Sequence, residues 1–172
     1  MQRSVLVLLD FTKAYDCVWR DALLLKMQKK GVPKSFVRWV QGWLANRRSF
    51  VTVDGRSSRT RTFDVGLPQG SVIAPLLFLI YIDADQMPPE VEVSLYADDV
   101  SLRAKHSVKE EAEATVQQAV DIAVDWSDRW KLKLSLSKCE CSFFSTSSAE
   151  AKWQPTIYIN GHRMGFNGNP VF

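Results

Sequence analysis

Apolar side chains fill residues 4–9 and stop at Asp10. A continuous run of strand length that ends on a carboxylate predicts a central strand delivering that side chain at its tip. Residues 20–30 read as a helix with Leu23, Leu24 and Met27 as its buried stripe, stopped by Gly31 ahead of Pro33. A second helix is predicted over 34–46, with Phe36, Val40 and Trp43 or Leu44 inward and Arg38 and Gln41 outward. Residues 50–53 and 60–65 flank the loop 54–58 as a hairpin. Pro68 and Gly70 then open an apolar helix over 72–83 that should be buried almost all round. Two short strands, 92–96 and 100–104, are joined tightly through Ala97, Asp98 and Asp99. The longest helix, 108–130, repeats apolar residues at Val108, Ala112, Val116, Ala119, Ala123, Trp126 and Trp130. Short apolar stretches at 132–136 and 140–145 follow, then a hairpin over 156–164 turning on Asn160-Gly161. Helices interleaved with hairpins predict an α+β fold, a small antiparallel sheet with helices packed on one face.

Composition narrows the class. A chain of 172 residues that is 46% hydrophobic suffices for the core of one domain. The longest apolar run, 72–82, contains Pro75 and falls well short of the roughly 20 residues a membrane helix needs. The N-terminal apolar stretch runs straight into Asp10 and Lys13 without a small-residue cleavage site, so it reads as a strand of the fold and not a leader. Cys17, Cys139 and Cys141 make neither a disulfide framework nor a four-ligand zinc site. An intracellular compartment, nuclear or cytoplasmic, is expected. His106 and His162 stand in no arrangement that would serve a nucleophile. The net charge of +3 is unevenly spread: residues 26–61 hold ten Lys and Arg, from Lys26 to Arg61, against Asp54 alone. That excess favours a polyanionic partner.

The carboxylates carry the chemistry. Asp98 and Asp99 sit at a hairpin tip, and an acidic turn is ordinary by itself. With Asp10 at the tip of a separate apolar strand, however, three carboxylates converge in the fold. Such a set can gather two divalent cations about 3.5–4 Å apart for in-line phosphoryl transfer.

Residues 9–16 (LDFTKAYD), 66–71 (GLPQGS), 96–99 (YADD) and Lys138, taken together and in that order, resemble the four palm motifs of reverse transcriptases. The match is best to the non-LTR, LINE-type retrotransposon enzymes and spans nearly the whole chain. The resemblance implies a reverse-transcriptase palm acting as an RNA-directed DNA polymerase with two Mg²⁺ ions, or Mn²⁺. Its partners would be an RNA template, a DNA primer and a dNTP. Asp10 and Asp98 would ligate both ions, the backbone carbonyl of Phe11 would complete one coordination sphere, and Asp99 would support the site. Tyr15 would be the steric gate against a ribose 2′-hydroxyl. Gln69 and Gly70 would line the nucleotide and primer terminus, and Lys138 would meet the triphosphate. Ser135 stands where the family usually has Asn three residues before that lysine.

Viral RNA-dependent RNA polymerases share the palm but resemble a pattern with a second Asp five residues after the first. Tyr15 holds that position here, with Asp16 one residue later. Family enzymes place finger elements before the first aspartate strand, and residues 166–172 resemble the approach to the primer grip. The expected organisation is therefore a single partial reverse-transcriptase domain over 1–172, palm with part of the fingers. N-terminal fingers, most of the primer grip and the thumb would lie in remaining segments of a larger polyprotein. A catalytically inactive mobile-element remnant that keeps the palm and a nucleic-acid-binding surface is the alternative.

Overall fold

The computed structural model describes residues 2–82, 85–150 and 152–168. In chain order the elements are β1 (Arg3–Leu9), α1 (Arg20–Lys29), α2 (Lys34–Leu44), β2 (Arg47–Ser49), β3 (Thr52–Val53), β4 (Arg56–Ser57), β5 (Arg61–Phe63) and α3 (Ala74–Ile82). They continue with β6 (Val91–Tyr96), β7 (Asp99–His106), α4 (Lys109–Arg129), β8 (Glu140–Ser145), β9 (Tyr158–Ile159), β10 (His162–Arg163) and β11 (Gly165–Phe166). The chain divides into two compact units, residues 1–14 with 83–172 and residues 15–82.

The first unit is a five-stranded sheet of order β11-β8-β1-β7-β6. β1 lies antiparallel between β7 and β8, with Leu9 opposite Val100 and Leu8 opposite Glu140. The expected antiparallel sheet is corrected at one edge, where β11 joins β8 in parallel. Strand alternation sends Val5, Val7 and Leu9 of β1 and Val100, Leu102 and Ala104 of β7 to one buried face. α4 covers that face, packing on β7 and β1. Its buried positions Ala112, Val116, Ala119 and Ala123 fall at helical spacing. Small alanines let its backbone approach the sheet, and Trp126 fills the end of the seam edge-on to Phe11 at 6.4 Å. Val108, expected inside, is 43% exposed because the helix starts one residue after it. Cys139 and Cys141 are buried, and burial pushes the Cys141 thiol up to about 11, so it stays protonated and inert. Residues 132–136 form no strand of their own; Leu134 makes an isolated bridge to Phe11. The Asn160-Gly161 turn forms as expected, both residues at positive φ (50° and 78°).

The second unit holds α1 to α3 and two small two-stranded sheets. The expected five-residue hairpin loop is tighter than read: β3 and β4 turn on Asp54-Gly55 alone, at φ 50° and 74°. Both signs fit a type I′ turn, which matches the twist of its strands. β2 and β5 pair outside it. α3 is not buried all round, since Leu76 is 55% exposed; Asp83, its expected end, lies outside the described residues. α2 is rotated from the expected setting, burying Val37, Val40 and Leu44 while Phe36 and Trp39 face outward. Lys26, counted above with the basic surface, is 4% exposed and donates to the Tyr81 carbonyl with its ammonium 5.4 Å from the Tyr81 ring centre. The Arg20 guanidinium donates to four carbonyls, of Gly66, Leu44, Phe63 and Val65. It therefore ties the start of α1 to the end of α2 and the segment after β5.

Gly66 closes this tie. It sits at φ +82°, its N–H donates to the Val18 carbonyl at 2.8 Å, and a Cβ there would lie 2.8 Å from the Asp16 carbonyl oxygen. Gly70 has φ +78° but open space around it. Gly66→Ala should therefore lose roughly 3 kcal/mol by urea unfolding, from left-handed strain plus a backbone clash, and Gly70→Ala only about 1 kcal/mol. Equal losses would contradict the close approach at Gly66.

Candidate active site

In the first unit, the register brings three sequence-selected residues into line. Tyr96 pairs with Asp99 across the β6–β7 hairpin. Continuing the β1–β7 register one step past Leu9 and Val100 sets Asp10 opposite Asp99. Opposite residues of an antiparallel pair share a face. Tyr96, Asp99 and Asp10 thus form a row across the sheet face turned away from α4. Lys138 completes it from the segment before β8, its ammonium 3.3 Å from Asp10 Oδ2 and 3.5 Å from Oδ1. A cavity of about 630 Å³ opens on this row and is lined by Asp10, Tyr96, Asp99 and Lys138 with Leu8 and Ser101 among its walls.

The position of Asp10 is fixed by backbone on both sides. Its carbonyl accepts from Ser135 N–H at 2.8 Å, and Thr12 N–H donates to the Lys133 carbonyl at 2.8 Å. Phe11 and Leu134 are therefore a non-hydrogen-bonded pair, and the Phe11 carbonyl points away from that segment. Beneath, the Cys139 thiol approaches the Asp10 carbonyl oxygen at 3.8 Å, and burial holds this thiol above its ordinary pKa. The Asp10 side chain is 21% exposed and that of Lys138 70%. Lys138 makes its hydrogen bond to Oδ1, while Oδ2 is buried without one. Its compensation is the ion-pair contact with Lys138 at 3.3 Å.

Asp98 occupies the turn and does not line the cavity, whereas Asp99 belongs to the strand. Turn residue Ala97 has φ +53°, a conformation that strains any side chain. A two-residue hairpin needs positive φ at its first centre to match strand twist, so Ala97 bears the strain that presents the two aspartates. Oxygen-only donors of this kind suit a hard divalent cation, and Oδ2 of Asp10, which has no hydrogen bond and faces the Lys138 ammonium at 3.3 Å, already sits in a cationic environment. Among the described residues, though, no three His, Cys, Asp or Glu side chains stand close enough together to hold an ion.

The second unit gathers the other selected residues. Tyr15 lies in a 3₁₀ turn, Ala14–Cys17, with its ring stacked on Phe78 at 4.8 Å. The Tyr15 carbonyl accepts from Leu67 N–H at 2.7 Å, and exposed Gln69 donates its amide to Asp16 at 2.9 Å. The Gly-Leu-Pro-Gln-Gly loop is thus docked on the turn that carries Tyr15. Asp16, passed over in the sequence beyond its place in the motif, orients Gln69; Arg20, four residues on, was missed because hydrogen bonds from an arginine to backbone carbonyls leave no trace in the side-chain pattern.

With this geometry in hand, the chain belongs to the reverse transcriptase (RNA-dependent DNA polymerase) family, whose profile matches residues 1–163. It is similar to the RNA-directed DNA polymerase from mobile element jockey of Drosophila funebris, 31% identical over 89% of this chain and 17% of the relative. It is also similar to the probable RNA-directed DNA polymerase from transposon BS of Drosophila melanogaster, 32% identical over 77% of this chain and 15% of the relative. These mobile-element relatives bear out the non-LTR resemblance of the motifs. The chain spans under a fifth of their length. A solved structure of apo telomerase from Candida tropicalis, truncated from its C-terminal domain, shares the fold: TM-score 0.61 and 12% identity over 86% of this chain and 32% of that one. Among the described residues no helix is long and apolar enough to cross a membrane.

Strain at Ala97 gives a direct test of the hairpin. Ala97→Gly should raise stability by about 0.5–1 kcal/mol, the left-handed penalty less the entropy of glycine. Ala97→Val should lower it by about 1–2 kcal/mol, because β-branched residues tolerate this region worst. Chemical denaturation measures both, and a destabilising glycine would refute the strain.

Proposed function

We propose that this chain supplies the catalytic face of an RNA-directed DNA polymerase, extending a DNA primer on an RNA template with dNTPs. The observation that carries the reading is the row of Asp10 and Asp99 beside the cavity, with Oδ2 of Asp10 lacking a hydrogen bond. In this reading the sheet is a reverse-transcriptase palm, and the whole chain is one partial domain, palm with part of the fingers, working with further segments of a polyprotein.

Asp10 and Asp98, with the Phe11 carbonyl and the support of Asp99, would hold two Mg²⁺ or Mn²⁺ ions. When bound, such ions activate a primer 3′-hydroxyl and neutralise the leaving pyrophosphate. Lys138 reaches Asp10 from an exposed stem and can turn instead to a triphosphate as its cationic partner. Tyr15, braced flat against Phe78, presents a fixed ring edge, which is what a steric gate against a 2′-hydroxyl needs. Gln69, held by Asp16, and the adjacent Gly70 would line the nucleotide and primer end. The clustered arginines of residues 47–61 supply phosphate contacts.

Thermal unfolding with and without 10 mM Mg²⁺ or Mn²⁺ tests the metal assignment. The expected rise is roughly 3 °C for millimolar affinity, absent in Asp10→Asn. No metal effect on the wild type would sink the assignment. Primer extension on an RNA template, comparing wild type with Asp98→Ala, tests the activity: extension should be lost in the variant. Metal-dependent stabilisation without any extension would assign the chain to the inactive-remnant reading.

A further inference from the structure

The outer face of α2 carries an arrangement that none of the proposed catalytic residues explains. Phe36, Trp39 and Trp43 follow one another at helical spacing and stand as a ladder. Their ring centres are 5.6 and 6.0 Å apart and their planes are inclined by only 15° and 6°. Phe36 is 38% and Trp39 53% exposed. The helix has a buried stripe of its own in Val37, Val40 and Leu44, so the ladder is not the face that holds α2 in its unit. At 100° per residue, Lys34 and Arg38 form a second exposed ridge one turn apart, and Gly42 falls between the two ridges. A Cβ at Gly42 would meet nothing within 4 Å, so the strip between rings and cations is an open depression.

We propose that this face is a second nucleic-acid site, a platform on which unpaired bases of a single strand stack while their phosphates meet Lys34 and Arg38. Two features select this occupant. First, the rings are near-parallel with centres 5.6 and 6.0 Å apart, so the parts of Phe36 and Trp39 that their neighbours leave uncovered can take a base of any sequence, and mutual stacking has already fixed the rotamers. Second, the charge is one-sided: residues 22–53 contain no Asp or Glu, so no carboxylate of this stretch competes with a phosphate. A protein segment would need acidic groups to match the cationic ridge, whereas a single strand carries one phosphate beside every base. The site does not rest on the polymerase reading, because it shares no residue with the carboxylate row.

The test is fluorescence anisotropy of the full 172-residue chain with a labelled single-stranded dodecamer, alongside quenching of tryptophan emission. Trp39→Ala with Trp43→Ala should weaken binding roughly 10- to 30-fold, and Trp39→Phe should retain most of it. Lys34→Ala with Arg38→Ala should flatten the logarithmic salt dependence by about 1 to 1.5 units. An abasic oligomer of equal charge should bind about as weakly as the double tryptophan variant binds the normal one. Asp10→Asn should bind as wild type, so failure of the metal site and failure of this one are separable. Circular dichroism of each variant checks that the fold is retained, Trp43 being half-buried. Equal binding by wild type and the tryptophan variant, or equal binding of abasic and normal strands, overturns the proposal. So does a ladder-dependent affinity for anionic vesicles or for a second copy of the chain with none for the oligomer.

Discussion

Everything at the candidate site depends on the register of β1 between β7 and β8. That strand is flanked on both edges, so its backbone groups are committed along its whole length. Its side chains alternate between the α4 face and the open face. A slip of one residue would put Asp10 under the helix and Leu9 on the open side. Burial of Val5, Val7 and Leu9 against α4, together with the cost of burying the Asp10 carboxylate there, opposes that slip. The position of one carboxylate is thus set by hydrophobic packing on the opposite side of the same strand. Asp99 is fixed by the same means, since Val100 and Leu102 bury on the helix face and turn their neighbours outward.

This constraint creates an electrostatic problem. Like charges close together on one sheet face are destabilising, and Asp10 and Asp99 line one cavity. Lys138 answers for Asp10, its ammonium lying 3.3 and 3.5 Å from the two carboxylate oxygens. A protein selected only for stability would place an apolar or oppositely charged pair there. Strain at Ala97 is of the same kind, a local penalty at the turn that presents both hairpin aspartates. Two unfavourable choices converge on one cavity, and burial elsewhere in the sheet sustains them. Such a pattern is expected where function opposes stability.

The parts of this fold legible in the sequence were those where one period dominates. β1, α1, α4 and the Asn160-Gly161 turn follow from a single run, a single stripe or a single pair of turn residues. The candidate residues stand out as chain motifs, to which the structure adds the docking of Gln69 on the Tyr15 turn through Asp16. The β1–β7 register and the parallel edge at β11 were not legible, because they depend on pairing between strands remote in sequence. Lys26 misled for a different reason: a lysine buried against the Tyr81 carbonyl and ring is identical in sequence to a solvated one.

α2 shows how two hydrophobic patterns compete on one helix. Phe36, Val40 and Trp43 make an acceptable inward stripe, and by apolar area alone the aromatic choice would win. Val37, Val40 and Leu44 win instead, because compact aliphatic side chains fit the close approach of α2 to α1, whereas indoles would hold the helices apart. Phe36 and Trp39 are then left outside, with Trp43 half-buried beside them. Leaving that much aromatic surface in water gains nothing for folding, and a stretch of patterned exposure beside a one-sided charge is what a binding face requires. The setting of α2 keeps the expected Val40 and Leu44 inside and exchanges Phe36 for Val37, and that exchange is what leaves an aromatic ridge open to the proposed partner.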